Sequence, residues 1–138
     1  MFQYVKTIGA HCGAPEPEYL PIDNYSEIEK GCLCEMYYGL LSSEYTESKS
    51  KSKFITLEKK TPGDGKTKVK CVRVLPGMII SVDYSGEIAS ISAGTFVSPM
   101  SDSQGYYLSC HEDTTGIIEV VDKSEYATTG KIQVIIHC

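Results

Sequence analysis

Gly31-Cys32-Leu33-Cys34 and Gly94-Thr95-Phe96-Val97 decide how this chain is read, because the same grammar follows each at an offset of about 63 to 66 residues. The first stretch passes a Gly39-Leu40-Leu41 turn and Phe54-Ile55-Thr56-Leu57, and closes on Gly65-Lys66-Thr67-Lys68-Val69. The second passes Gly105-Tyr106-Tyr107 and Gly116-Ile117-Ile118-Glu119-Val120, and closes on Gly130-Lys131-Ile132-Gln133-Val134. The match is one of residue class more than of identity. It predicts a scaffold of two pseudo-equivalent halves, each a strand-and-turn unit.

Outward from these stretches, short β-type runs alternate with turn signals. Candidate strands cover 33–37, 54–58, 69–74, 78–82, 95–97, 106–110, 117–121 and 132–136. Tyr38-Gly39, Pro62-Gly63-Asp64-Gly65, Pro76-Gly77, Ser85-Gly86, Gln104-Gly105 and Thr129-Gly130 supply the reversals between them. Strands this short with turns this regular predict an all-β fold, a small barrel or sandwich of antiparallel strands. Its expected core is Leu33, Phe54, Ile55, Leu57, Val72, Val74, Ile79, Val82, Phe96, Ile118, Val120, Val134 and Ile136.

Residues 1–23 read instead as an extended, Pro-rich arm preceding a single β domain over 24–138. Ala14-Pro15-Glu16-Pro17-Glu18-Tyr19-Leu20-Pro21 can neither continue a helix nor lie inside a central strand, so its backbone is expected to stay unpaired until a partner orders it. Tyr19 and Leu20 are the apolar anchors of that expectation.

A chain of 138 residues suits one domain. No apolar run is long enough for a membrane helix. The opening Met1-Phe2-Gln3-Tyr4-Val5-Lys6 lacks the pattern of a secretory signal, so the expected site of folding is the cytoplasm, with the six cysteines reduced. The net charge of −5 is unevenly spread. Residues 1–48 carry −6, residues 49–73 carry +7, and residues 74–138 carry −6. Lys49, Lys51, Lys53, Lys59 and Lys60 lie in the basic stretch. They read first as a solvated hairpin and, more sharply, as a surface that docks on an acidic neighbour. A single Arg, and aromatics not interleaved with the bases, argue against direct nucleic-acid binding.

Motifs that would carry chemistry fall short. His11-Cys12, Cys110-His111, His137-Cys138 and Cys32-x-Cys34 suggest a soft-metal site by residue type, but Cys-x-Cys in a strand only places two thiols on one face. Gly65-Lys66-Thr67 resembles the end of a phosphate loop, yet Lys60 stands where that loop needs glycine, and a β-type run follows. Asp113-Thr114-Thr115-Gly116 departs from the Asp-Thr-Gly of aspartic proteases by one threonine. No cofactor and no catalytic residue is expected. Tyr37-Tyr38 and Tyr106-Tyr107, at matching places beside the glycine turns, read as rim or core packing ahead of partner contact.

The layout over 27–138 resembles the head decoration (cement) proteins of tailed bacteriophages and prophages. The resemblance rests on Ile28-Glu29-Lys30-Gly31-Cys32-Leu33 with Tyr38-Gly39-Leu40, and on Gly63-Asp64-Gly65-Lys66 leading into Val69-Lys70-Cys71-Val72-Arg73-Val74. It continues through Leu75-Pro76-Gly77-Met78-Ile79-Ile80-Ser81-Val82, the Gly94 start and the Gly116-Ile117-Ile118-Glu119-Val120 run. It implies a non-enzymatic virion protein, made in the host bacterial cytoplasm and bound to the capsid surface. Its partner would be the major capsid protein, with self-association on the shell. Tyr19, Leu20 and the five lysines are the partner-binding residues expected from the chain itself. The remaining classes are a cytoplasmic β-barrel module for a ligand or metal, and a tail-tube or adaptor component.

Overall fold

A computed structural model describes residues 1–8, 15–43, 45–46, 51–112 and 116–137. The chain is all-β, in two sheets. The first sheet holds β2 (Glu18–Pro21), β3 (Leu33–Tyr37), β4 (Leu40–Ser42), β5 (Phe54–Thr56) and β6 (Lys68–Arg73), in the order β2-β6-β5-β3-β4. The second holds β1 (Gln3–Thr7), β7 (Met78–Ser85), β8 (Phe96–Ser101), β9 (Tyr107–Glu112), β10 (Ile118–Asp122) and β11 (Lys131–Ile136), in the order β1-β7-β11-β10-β8-β9. A parallel β7–β9 pairing closes five of these strands into a barrel. A short helix, α1 (Tyr126–Thr129), precedes β11.

The two halves share one topology. Counting strands from β2 in one half and β7 in the other, both run first-fifth-fourth-second-third. The registers coincide as well. Leu33 faces Ile55 and Cys34 faces Phe54, as Phe96 faces Glu119 and Val97 faces Ile118. Cys71 pairs with Thr56 and Glu18, as Val134 pairs with Val120 and Ile80. Turn hydrogen bonds repeat too. Gly31 N–H donates to Thr56 O at 2.8 Å, and Thr56 N–H donates to Cys32 O at 3.2 Å. Gly94 N–H donates to Val120 O at 2.8 Å, and Val120 N–H donates to Thr95 O at 2.8 Å. Gly31 (φ 74°) and Gly94 (φ 93°) occupy the left-handed region that a side chain disfavours, so the paired glycines are required by the shared turn.

Packing separates the roles of the halves. In the first, Cys32, Cys34, Phe54, Val69 and Cys71 fill the interior with Ile22, Ile28 and Leu41. The opposite face, Leu33, Ile55, Val72 and Val74, is also buried, joined in one cluster with Phe2 and the barrel residues of the second half. The first sheet is therefore covered on both faces. Of the expected core, all are buried except Leu57 and Phe96, which are partly exposed.

The expectation of an unpaired N-terminal arm does not hold. Within 1–23, β1 pairs antiparallel with β7 and β2 pairs antiparallel with β6. Phe2 (1 % exposed) and Ile22 (3 %) are core residues. The prolines are compatible because β2 is an edge strand: alternation from the Ile22 N–H···O Thr67 bond turns the main-chain groups of Pro21 away from β6, where a missing N–H costs no ladder bond. Leu40-Leu41, read as a turn, forms β4 after the two-residue reversal at Tyr38 (φ 49°) and Gly39 (φ 77°).

Candidate interaction surface of the first half

The five lysines scatter. Lys53 and Lys60, expected to steer docking, are fully buried. Lys53 forms an ion pair with Glu35, itself 2 % exposed, and its ammonium lies 5.2 Å from the Tyr45 ring centroid. The Glu35 carboxylate also accepts bonds from the backbone N–H and hydroxyl of Thr46, both at 3.0 Å. Lys60 Nζ donates to Asn24 O at 2.6 Å, Thr61 O at 2.8 Å and Asp64 Oδ1 at 2.6 Å, which uses every proton of the ammonium. Neither cation is exposed at the surface. Each is held because a buried charge needs a full set of bonds. Lys59 pairs with Glu29 at 3.1 Å on the surface. Lys51 is exposed, 5.9 Å from the Tyr37 ring centroid. Lys49 lies outside the described residues.

The Lys60 clasp joins the 23–25 segment to the 60–66 loop. Asp64 also accepts from the N–H groups of Thr61 (3.1 Å) and Lys66 (2.9 Å), while Asn24 Oδ1 accepts from Gly65 N–H at 2.8 Å. The hydrogen bond from Lys60, then those from the backbone, hold the Asp64 carboxyl well below the usual range. A carboxylate with a lowered folded pKa stabilises the fold above its unfolded pKa, and that contribution is lost as the pH falls from the unfolded value through the folded one. Asp64→Asn should therefore lower the urea midpoint at neutral pH, and its deficit against the parent should shrink below about pH 4, where the unfolded carboxyl protonates. Urea titrations at pH 7 and pH 3 check this.

Two of the expected partner residues come together. Leu20 and Lys51 line a hollow of about 340 Å³ with Met36, Ser52, Phe54 and Arg73, at one mouth of the first half. Its floor is apolar and its rim cationic. Arg73 stacks 4.9 Å from the Phe54 ring centroid while its guanidinium binds both oxygens of Glu18, each at 3.0 Å. Tyr19 is 60 % exposed on the neighbouring strand position. Met36, Phe54 and Arg73 were invisible as site residues in the sequence, since their convergence depends on the β3, β5 and β6 register.

A second hollow, of about 220 Å³, lies between the 22–28 segment and β4 and is lined by Ile22, Ile28, Tyr37, Leu40 and Leu41, together with Glu27. The half-exposed Tyr37 and the 89 % exposed Tyr38 project from the adjoining hairpin, stacked edge to face.

Among the described residues the thiols, Cys32, Cys34, Cys71 and Cys110, are interior. Burial raises Cys34, and burial followed by the charge of Glu18 raises Cys71 to about 11, whereas the Cys34 hydrogen bond lowers Cys32. Cys110 is buried and His111 lies on the opposite side of β9. Among the described residues no group of three or more His, Cys, Asp or Glu side chains is arranged to hold a metal ion. His11, Cys12, Cys138 and the Asp113-Thr114-Thr115 segment lie outside them. No helix among the described residues is long and apolar enough to cross a membrane. No protein-family model, curated protein or solved structure matches the chain.

Proposed function

We propose that this chain is a structural virion protein that binds the outside of a phage capsid and stabilises the shell. The observation that carries the reading is the unequal completion of its two halves. One half is a closed barrel, whereas the other keeps an apolar mouth rimmed by Lys51 and Arg73 and a hairpin tip of exposed aromatic residues. A rigid module with one unfinished, apolar end is suited to seating on a larger assembly: the apolar floor supplies affinity and the exposed Lys51 steers it to an acidic subunit surface. The layout likeness to decoration proteins supports the same reading.

The test is co-sedimentation of the purified chain with empty shells assembled from the major capsid protein of particles induced from the source organism. Near-stoichiometric binding is expected. Lys51→Glu, on an exposed side chain, should weaken it at least tenfold without changing the urea midpoint. Quantitative mass spectrometry of the particles should find the chain near the copy number of the capsid protein. A few copies per particle would assign it to tail or neck, and absence would overturn the virion reading in favour of a ligand-binding module.

A further inference from the structure

The duplication also shows which strand the first half does without. β2 stands at the place of β7, with Glu18 at the position of Ile80, so Pro15, Pro17, Tyr19 and Pro21 correspond to Gly77, Ile79, Ser81 and Asp83. In the second half β1 covers the edge of β7 over the first three of these positions. Gln3 faces Ser81, Lys6 faces Ile79, and Ile8 N–H donates to Gly77 O at 2.9 Å. Beyond them, Asp83 faces Ser109 of β9. Among the described residues no strand pairs with the outer edge of β2.

The residues of that edge account for the difference. Ile22 N–H donates to Thr67 O, so alternation turns Glu18 and Leu20 toward β6 and turns Pro17, Tyr19 and Pro21 outward. Each outward residue of a free edge normally offers an N–H and a C=O to an incoming strand. Proline has no N–H. The two positions flanking Tyr19 therefore lack a donor, and Pro15 lacks one in any orientation. Tyr19, 60 % exposed, is the single outward donor of β2. The strand at the edge of the second sheet carries a different device: β1 has a bulge between Tyr4 and Lys6, and Lys6 is exposed. Bulges and lysines likewise spoil an edge as a template for pairing.

We infer that Pro15, Pro17 and Pro21 close the β2 edge to strand addition by a second copy of this chain. Two copies meeting edge to edge would set the prolines of one against the carbonyls of the other, and the ladder would lose most of its bonds. β1 then has one place to pair, on β7. Other proteins meet this face through side chains rather than through a shared sheet. The inference stands independently of the capsid reading.

The experiment is sedimentation equilibrium of the intact chain beside that of the double variant Pro15→Thr/Pro17→Ile. Both positions precede the β2–β6 ladder, so the parent urea midpoint is expected. The restored N–H groups should strengthen self-association at least tenfold, with hydrogen exchange in the peptide holding Tyr19 slowed at least tenfold in the associated form. Adding Tyr19→Pro, which removes the last outward donor, should return association to the parent level. Parent-level association in the double variant would overturn the inference, as would association that persists through Tyr19→Pro. A lowered urea midpoint in the double variant would also overturn it, because the prolines would then hold the β2–β6 ladder rather than guard its edge.

Discussion

Removal of residues 1–23 is expected to leave a chain that no longer folds, rather than a folded module lacking an appendage. The deletion takes β1 from the edge of β7 and β2 from the edge of β6. It removes Phe2 and Ile22 from the two core clusters and exposes Val69, Cys71, Met78 and Ile80, which those strands shield. Phe2→Ala alone should cost about 3–5 kcal/mol, the range for emptying a buried aromatic site. Against a total of about 5–15 kcal/mol for a domain, the loss of both strands cannot be absorbed. Urea unfolding of Phe2→Ala and circular dichroism of the truncated chain measure the two effects. A truncated chain with a native-like midpoint would show that the β1–β7 and β2–β6 ladders are dispensable.

The second large effect concerns the buried pair. Glu35→Ser should destabilise the chain by about 3–5 kcal/mol, because the Lys53 ammonium is left charged inside the protein. The duplication supplies the compensating change. Val74 N–H donates to Lys53 O at 2.9 Å, as His137 N–H donates to Ile117 O at 2.9 Å, so Ile117 occupies the place of Lys53. Ser98 likewise occupies the place of Glu35, three strand positions into the corresponding β-strand. Glu35→Ser with Lys53→Ile therefore transplants the solution of the second half. It should recover a large part of the loss, less about 1–3 kcal/mol for the Thr46 donors that lose their acceptor. Urea midpoints of the two single variants and the double variant close the cycle. Equal losses in the single and double variants would show that the charge of Lys53 is not the source of the cost.

The fold was legible because its signals are local. Gly31 and Gly94 announce the same turn, and the alternation in Lys131–Ile136 marks one face for burial. The β2–β7 correspondence was not legible, because Glu18-Tyr19-Leu20-Pro21 and Ile80-Ser81-Val82-Asp83 share no residue in register. Only the hydrogen-bonded ladders reveal that Pro21 and Asp83 are counterparts. The lysines show the opposite failure. Charge counting treats Lys51, Lys53 and Lys60 alike, whereas tertiary structure exposes one and buries two among carboxylates and carbonyls. Of the expected site, Leu20 and Lys51 do meet, through strand partners that composition cannot identify.

The pairing of β1 with β7 sets a delay during synthesis. Gln3 faces Ser81 and Thr7 faces Met78, so β1 leaves the ribosome without this neighbour until β7 follows. At about 5–20 residues per second, the wait is on the order of ten seconds. Throughout it, the Leu33, Ile55 and Val72 face of the earlier half also lacks its cover. The nascent chain cannot bank its first half as a finished intermediate. Both halves must consolidate together after the second emerges, and a chaperone that shields apolar strands early should raise the yield more than one that acts on the released chain.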